Sequence, residues 1–259
     1  MATQVSPEKT TDAALSMIHR FPLLPSTNDE ALRLARAGAP AFEAVVADAQ
    51  SAGRGRAGHA WSSPPGVALY FSVVLRPRLD AAALPLVTIA CGIGVAEAVR
   101  SATGLDARLK WPNDALVNGR KCAGILCEGD SGPDGTVVIA GVGLNVNTPA
   151  EALPERPIFP ATSLLLESGA PQDRERVLSA CLDGIARWCA RLEAPDGSAA
   201  VVARFRECDA LRGRRVRVAL PDGSFACGEE LGCAPSGALL VAGPDGPREI
   251  LAGSVALER

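Results

Sequence analysis

The chain has 259 residues, enough for one large domain or for a catalytic domain with a small appendage, so core size excludes neither. Its 26 Lys+Arg against 29 Asp+Glu leave a formal net charge of -3, which argues against a broad basic surface for nucleic acid or an anionic membrane. Two histidines and eight cysteines without a CxxC pair lack zinc-ligand spacing, so no metal ligands are assigned and the cysteines read as reduced core residues.

The start, MATQVSPEKT, is polar, without the layout of a secretory signal, and the chain up to Ser26 is read as flexible. Ser26-Thr27-Asn28-Asp29-Glu30 then leads into ALRLARA and stops at Gly38, which predicts a capped helix with a glycine exit. AFEAVVADAQ predicts a strand, residues 51–66 a Gly/Arg/Ser/Pro-rich loop, and VALYFSVVLRP a buried strand. Residues 84–102 carry apolar groups at helical spacing. Their apolar stretch, 84–99, and that at 137–146 are both short of the ~20 residues that span a bilayer, so no membrane association is expected. RLKWPNDALVNGRKCAGILCEG reads as two strands joined at Asn118-Gly119, TVVIAGVGLNVN as a further strand, and residues 173–192 as a long amphipathic helix. From Leu211 onward short strands alternate with turn residues, which predicts a small β-barrel-like appendage. The fold class expected is α+β.

Four segments are candidates for chemistry. Gly53-Arg54-Gly55-Arg56-Ala57-Gly58 formally satisfies GxGxxG, but His59-Ala60-Trp61-Ser62-Ser63-Pro64-Pro65-Gly66 is a poor helix, and a dinucleotide site needs a helix N-terminus there. Two arginines among glycines instead suit an anion-clamping loop, because the backbone approaches closely while guanidinium groups reach phosphate or carboxylate oxygens. Lys110-Trp111-Pro112-Asn113-Asp114 packs a cation, an aromatic, an amide and a carboxylate around a proline. With a two-residue turn at Asn118-Gly119, Lys121 faces Leu116 and lies diagonal to Asp114, so lysine and aspartate can serve one site, with Gly124 leaving room for a ligand. Gly141-Val142-Gly143-Leu144-Asn145-Val146-Asn147 ends a hydrophobic strand in residues suited to close approach and amide hydrogen bonds. Ser26-Thr27-Asn28 reads equally as a helix cap or as a contact for polar ligand atoms.

Taken in order, STN, Q-x-x-GRGR-x-G-x-x-W, KWPND, the RK-x-AGIL hairpin and G-x-N-x-N resemble the biotin protein ligases. The resemblance is densest over residues 25–147. It implies a mixed β-sheet with helices, the class II synthetase-like biotin/lipoate ligase catalytic domain, over residues 1–210, and a C-terminal SH3-like β-barrel over 211–259. It implies ATP with Mg²⁺ and biotin as substrates, a biotinyl-adenylate intermediate, and as partner the biotin carboxyl carrier protein domain of a biotin-dependent carboxylase. A cytoplasmic monomer or homodimer is expected, without a DNA-binding role because only some 25 residues precede STN.

By that resemblance Ser26, Thr27, Asn28, Gln50, Gly53, Arg54, Gly55, Arg56 and Lys121 contact biotin. Arg54, Arg56, Trp61, Lys110, Asn113, Lys121 and Asn145 contact the nucleotide. Arg56, Lys110, Asp114 and Lys121 are the catalytic candidates, with Asp114 orienting or deprotonating the carrier lysine. Ala57 and His59 depart from the more basic loops of the family. A lipoate ligase and a non-catalytic phosphate- or RNA-binding protein are the rival readings.

Overall fold

A computed structural model describes residues 17–132, 135–155, 159–244 and 246–258; most of the N-terminal segment read as flexible, residues 1–16, lies outside them. The first strand, β1 (Ile18–Leu24), is unexpected from the sequence, whose alternation there is broken by Arg20 and Pro22. It pairs in parallel with β2 (Ala44–Gln50), so pairing across the intervening helix, rather than its own pattern, makes it a strand.

That helix, α1 (Thr27–Arg36), carries Asp29 and Glu30 in its first turn, where the helix dipole favours negative charge. Ser26 occupies the cap position but its side chain makes no capping bond. The Gln50 Oε1 takes that role, accepting from the Thr27 backbone N–H at 2.8 Å.

β2 runs into the loop at residues 51–66 and returns as β3 (Leu69–Leu75). α2 (Pro85–Thr103) follows, then β4 (Ala107–Lys110), β5 (Asp114–Val117), β6 (Arg120–Gly132) and β7 (Gly135–Leu144). The segment read as two strands is therefore three. Trp111-Pro112-Asn113 makes a second tight turn, and β4 folds back on β5 with Lys110 opposite Asp114, since proline supplies no N–H to continue a ladder. The expected Asn118-Gly119 turn is present, with both residues at positive φ (51° and 73°) as a primed two-residue hairpin requires.

The seven strands form one mixed sheet in the order β1-β2-β3-β7-β6-β5-β4, antiparallel except at β1 and β2. Alternation along β3 and β7 divides the faces. Phe71, Val73, Leu75, Val138, Ala140 and Val142 point into the main core, where α2 packs with α4 (Arg174–Leu192) and α5 (Gly197–Cys208). α2 is long and apolar enough by composition to cross a membrane, but it is this core's central helix, twelve of its residues being buried. α2 and α4 cross at a glycine pair: a Cβ on Gly184 would lie 2.4 Å from the Gly94 carbonyl oxygen. On the other face Val45, Val74 and Ile139 pack under Ala31 and Ala35 of α1. α1 covers only part of that face, and the remainder forms the floor of the site described below.

A short helix, α3 (Leu164–Ser168), and α5 lie in a region of the sequence without a distinctive pattern. After α5, Asp209 bridges Leu109 and the Ala210 N–H reaches the Leu109 carbonyl at 2.7 Å, so the chain leaves along the β4 edge. It then forms β8 (Arg215–Ala219), β9 (Phe225–Cys233), β10 (Leu239–Gly243), β11 (Gly246–Ile250) and β12 (Ser254–Leu257). These make a five-stranded antiparallel sheet in the order β11-β10-β9-β8-β12. Trp111 joins the two sheets, buried with its indole N–H on the Gly237 carbonyl at 3.0 Å.

Of the cysteines, Cys91, Cys122, Cys181, Cys208 and Cys233 are buried and unbridged. Burial pushes the Cys122, Cys181, Cys208 and Cys233 thiols up to about 12. Cys227 differs from the expected core placement: it stands on the exposed side of β9, where alternation leaves every second residue outward.

Candidate active site

A cavity of about 460 Å³ opens on the face of the large sheet that α1 leaves uncovered. The start of α1, the Gly/Arg loop, the β5–β6 hairpin and the glycines of β7 surround it, and Leu220, Pro221, Ala252, Gly253 and Ser254 close one end. Its size is that of a small-molecule site.

Polar atoms converge on one wall. Ser26, Thr27 and Asn28 are all buried. Gln50 Oε1, which caps α1, also accepts from the Thr27 hydroxyl at 3.2 Å. Ser72, fully buried on β3, lies 2.7 Å from the Thr27 hydroxyl and donates to Asn28 Oδ1 at 2.6 Å. Sequence reading passed over Ser72; the available signal was one hydroxyl inside the apolar run LYFSVVL, which at a buried position demands polar partners.

The floor is glycine because side chains lie on it. A Cβ on Gly141 would come within 2.1 Å of Asn28 Oδ1, and one on Gly143 within 2.4 Å of the Trp61 ring. A Cβ on Gly124 would lie 3.0 Å from the Trp61 ring and 3.3 Å from Lys121 Nζ. The room predicted for a ligand at these strands is thus partly taken by the side chains that bind around it.

The Gly/Arg loop is ordered by its own backbone. The Gly55 N–H donates to the His59 carbonyl at 2.7 Å and the Trp61 N–H to the Gly53 carbonyl at 2.9 Å, around a 3-10 turn at Arg56–Gly58. No α-helix begins there, which removes the dinucleotide-fold reading. Arg54 forms a two-pronged pair with Asp29 at 2.7 and 2.8 Å and meets Glu128 at 3.2 Å; its bonds to Asp29 and the nearby carboxylates raise its pKa, and Asp29 is lowered in return. Arg56 is different. It is half-buried, with Nη1 3.4 Å from Asn113 Oδ1, and desolvation lowers its pKa while Asp114 partly offsets this.

At the start of β5 Asp114 lies between two lysines. Lys110 Nζ is 2.9 Å from Asp114 Oδ2, and Lys121 Nζ pairs with Asp114 Oδ1. The register is as the hairpin reading expected, Lys121 opposite Leu116 and Asp114 opposite Gly124. Burial alone would raise the Asp114 carboxyl, but the adjacent Lys110 and Lys121 ammonium groups hold it below the usual carboxylate range. Lys110 also stands 5.0 Å from the Phe159 ring centroid and Lys121 5.4 Å from that of Trp61.

Two of the sequence candidates do not line this cavity. Gly53 lies behind the loop, where a Cβ would meet the Trp61 carbonyl at 2.7 Å. Asn145 belongs to a small adjoining cavity with Trp61, Lys121 and Thr148, and its amide donates to the Thr162 carbonyl at 2.9 Å. The buried Trp61 indole N–H and Thr148 hydroxyl there have no hydrogen-bond partner among the described residues. Sequence reading also missed the C-terminal residues at the cavity mouth. No group of three or more His, Cys, Asp or Glu able to hold a metal ion occurs among the described residues.

Residues 21–145 match the Biotin/lipoate A/B protein ligase family and residues 212–257 the Biotin protein ligase C terminal domain. The chain is 38% identical over 157 residues to the bifunctional ligase/repressor BirA of Bacillus spizizenii, a match covering 60% of this chain and 48% of that protein. It therefore spans about half the length of that relative. It is 37% identical over 238 residues to the biotin--[acetyl-CoA-carboxylase] ligase of Paracoccus denitrificans, covering 89% of this chain and 96% of that one. Among solved structures, the biotin protein ligase of Aquifex aeolicus in complex with biotin and ATP superposes with a TM-score of 0.80 at 29% identity, over 94% of this chain and 99% of that chain. With a site of this composition between two matched domains, and a relative aligned over almost its whole length, the chain belongs to the biotin protein ligase family.

Proposed function

We propose that this protein is an ATP-dependent ligase that makes biotinyl-5'-AMP from biotin and MgATP, then transfers biotin to a lysine of a biotin carboxyl carrier protein domain in the cytoplasm. The observation that carries the reading is the charge arrangement across one cavity. Arg56, Lys110, Asp114 and Lys121 line it together with Ser26, Thr27, Asn28 and Gln50.

In the first step a biotin carboxylate oxygen attacks the α-phosphorus, the α–β phosphoanhydride bond breaks, and pyrophosphate leaves with the electron pair. This chemistry needs alignment and cations where negative charge grows. Arg56 supplies one, because its guanidinium is desolvated and is in no ion pair among the described residues. Lys110 on β4 and Lys121 on β6 supply further charge, and Asp114 fixes both ammonium groups. Mg²⁺ enters with the nucleotide.

In the second step the neutral amine of the carrier lysine attacks the acyl carbonyl, its proton is lost, and AMP leaves. An ammonium group with a pKa of ~10.4 has no lone pair to attack with. Asp114, held ionised below the ordinary range with both oxygens engaged by lysines, suits orientation and charge balance better than proton removal.

The test is biotin-dependent exchange of labelled pyrophosphate into ATP with the purified protein and Mg²⁺, run in parallel with lipoate. Exchange with biotin alone supports the reading. Preference for lipoate assigns the sister activity within the matched family, and exchange with neither acid overturns the ligase reading.

A further inference from the structure

One polar network in the site has no part in the reaction as described. Arg54 was expected to reach the ligand, yet Asp29 and Glu128 already meet its charge. Asp29 belongs to the first turn of α1 and Glu128 to β6, so the guanidinium ties the glycine-rich loop to two separate elements. Glu128 Oε2 is shared: it accepts from Arg54 Nη2 at 3.2 Å and from Asn28 Nδ2 at 2.5 Å. The Asn28 amide is thereby fixed in orientation. Its Nδ2 faces the Glu128 carboxylate and, at 3.3 Å, the Leu126 carbonyl, while its Oδ1 faces the Ser72 hydroxyl at 2.6 Å.

We propose that Glu128 and Asp29 are positioning residues that anchor the glycine-rich loop over the cavity through Arg54, with Glu128 at the same time aiming the Asn28 amide, so that Arg56 alone of the loop's two arginines is left to bind the ligand's anionic groups. The division follows from the charges. Arg54 faces two carboxylates and has no net positive charge to offer, whereas Arg56 is half-buried, forms no ion pair among the described residues and hydrogen-bonds the neutral Asn113 amide at 3.4 Å, with Asp114 near enough to act on it electrostatically. A glycine-rich loop loses considerable entropy on ordering, and a two-pronged ion pair made within the protein itself offsets part of that cost. The tether stands on geometry alone, whereas its effect on biotinyl-adenylate rests on the ligase reading above.

Two readouts separate these. Limited trypsinolysis without ligand reports loop anchoring, with cleavage after Arg56 followed by mass spectrometry. We expect Asp29→Asn and Glu128→Gln each to speed that cleavage several-fold, and Asp130→Asn, which loosens the neighbouring Arg36 surface pair on the same strand, to leave it unchanged. In an Arg54→Ala background, Asp29→Asn is expected to add nothing, because the partner is already gone. With the ligase activity in hand, Asp29→Asn and Glu128→Gln should raise the dissociation rate of preformed biotinyl-adenylate about tenfold. Glu128→Ala should raise the KM for biotin as well, more than Glu128→Gln does, since glutamine keeps an acceptor oxygen for Asn28. Unchanged cleavage in the single variants, or additive effects of Asp29→Asn and Arg54→Ala, would overturn the anchoring. Faster cleavage with unaltered dissociation of the intermediate would overturn the link to ligand retention, and absence of biotin-dependent exchange in the unsubstituted protein would instead reject the ligase reading while leaving the tether decided by trypsin.

Discussion

Asp114 is the shared partner of both site lysines. Its carboxylate is the counter-charge for the buried Lys110 and the partly buried Lys121, and an uncompensated buried charge costs about 3–5 kcal/mol when its partner is removed. Asp114→Asn is expected to lower stability by about 3 kcal/mol in urea denaturation and to slow single-turnover transfer from preformed biotinyl-adenylate; unchanged transfer in a folded variant removes Asp114 from the second step. Arg56→Ala, by contrast, leaves no orphaned partner charge. Its expected signature is near-native thermal stability with biotin-dependent exchange reduced on the order of 100-fold in kcat/KM, the usual scale for losing one charge-stabilising donor. At this scale the sequence was informative where chemistry forces residue types together, as in KWPND and GRGR. It was silent on Glu128 and Ser72, because an acid on a strand and a serine in an apolar run become meaningful only when their neighbours are known.

Glycines set how closely elements approach. The α2–α4 crossing places Gly94 and Gly184 backbone to backbone, and neither backbone has a flexible end that can move aside. Gly184→Ala is expected to cost about 1–3 kcal/mol, as overpacking of a filled core does, with a matching fall in Tm. Gly143→Ala meets the Trp61 ring instead, so its effect belongs to the site: displaced Trp61 should raise the KM for ATP more than it lowers Tm. Most elements were legible from period and turn chemistry, including the Asn118-Gly119 hairpin and α4. β1 and the β4–β5 fold-back were not, since a seven-residue edge strand with a charge and a proline in it and a four-residue strand ending at Trp-Pro carry too little pattern of their own.

The two sheets meet at a joint with its own titration. Glu230 on β9 is fully buried, neither of its side-chain oxygens has a hydrogen-bond donor among the described residues, and Asp209 at the chain exit from α5 lies beside it. Burial, reinforced by Asp209 and eased by Lys110, pushes the Glu230 carboxyl up to about 9, and burial likewise raises Asp209. The neutral acid is therefore favoured in the folded protein. Its stabilising contribution is complete below the ordinary glutamate range near 4.5 and is lost as pH rises toward about 9. Tm should fall between pH 6 and pH 9, and Glu230→Gln should flatten that slope; an unchanged slope would show that the pair does not hold a proton. The joint also matters for catalysis, because Leu220, Pro221 and residues 252–254 close one end of the cavity and Gly237 holds Trp111.

The sequence by itself determined which residue types the cavity brings together and the type of most elements, because both depend on local quantities: which side chains are adjacent, where glycine and proline permit a turn, and with what period apolar residues recur. Tertiary structure decided which charges are already spent. Arg54 and Arg56 are two residues apart in one glycine-rich loop and indistinguishable in the sequence, yet one is neutralised by carboxylates 25 and 74 residues away while the other, lining the same cavity, has no ion pair among the described residues. Electrostatic interaction falls with distance in space and is strengthened by burial, and neither quantity is written along the chain.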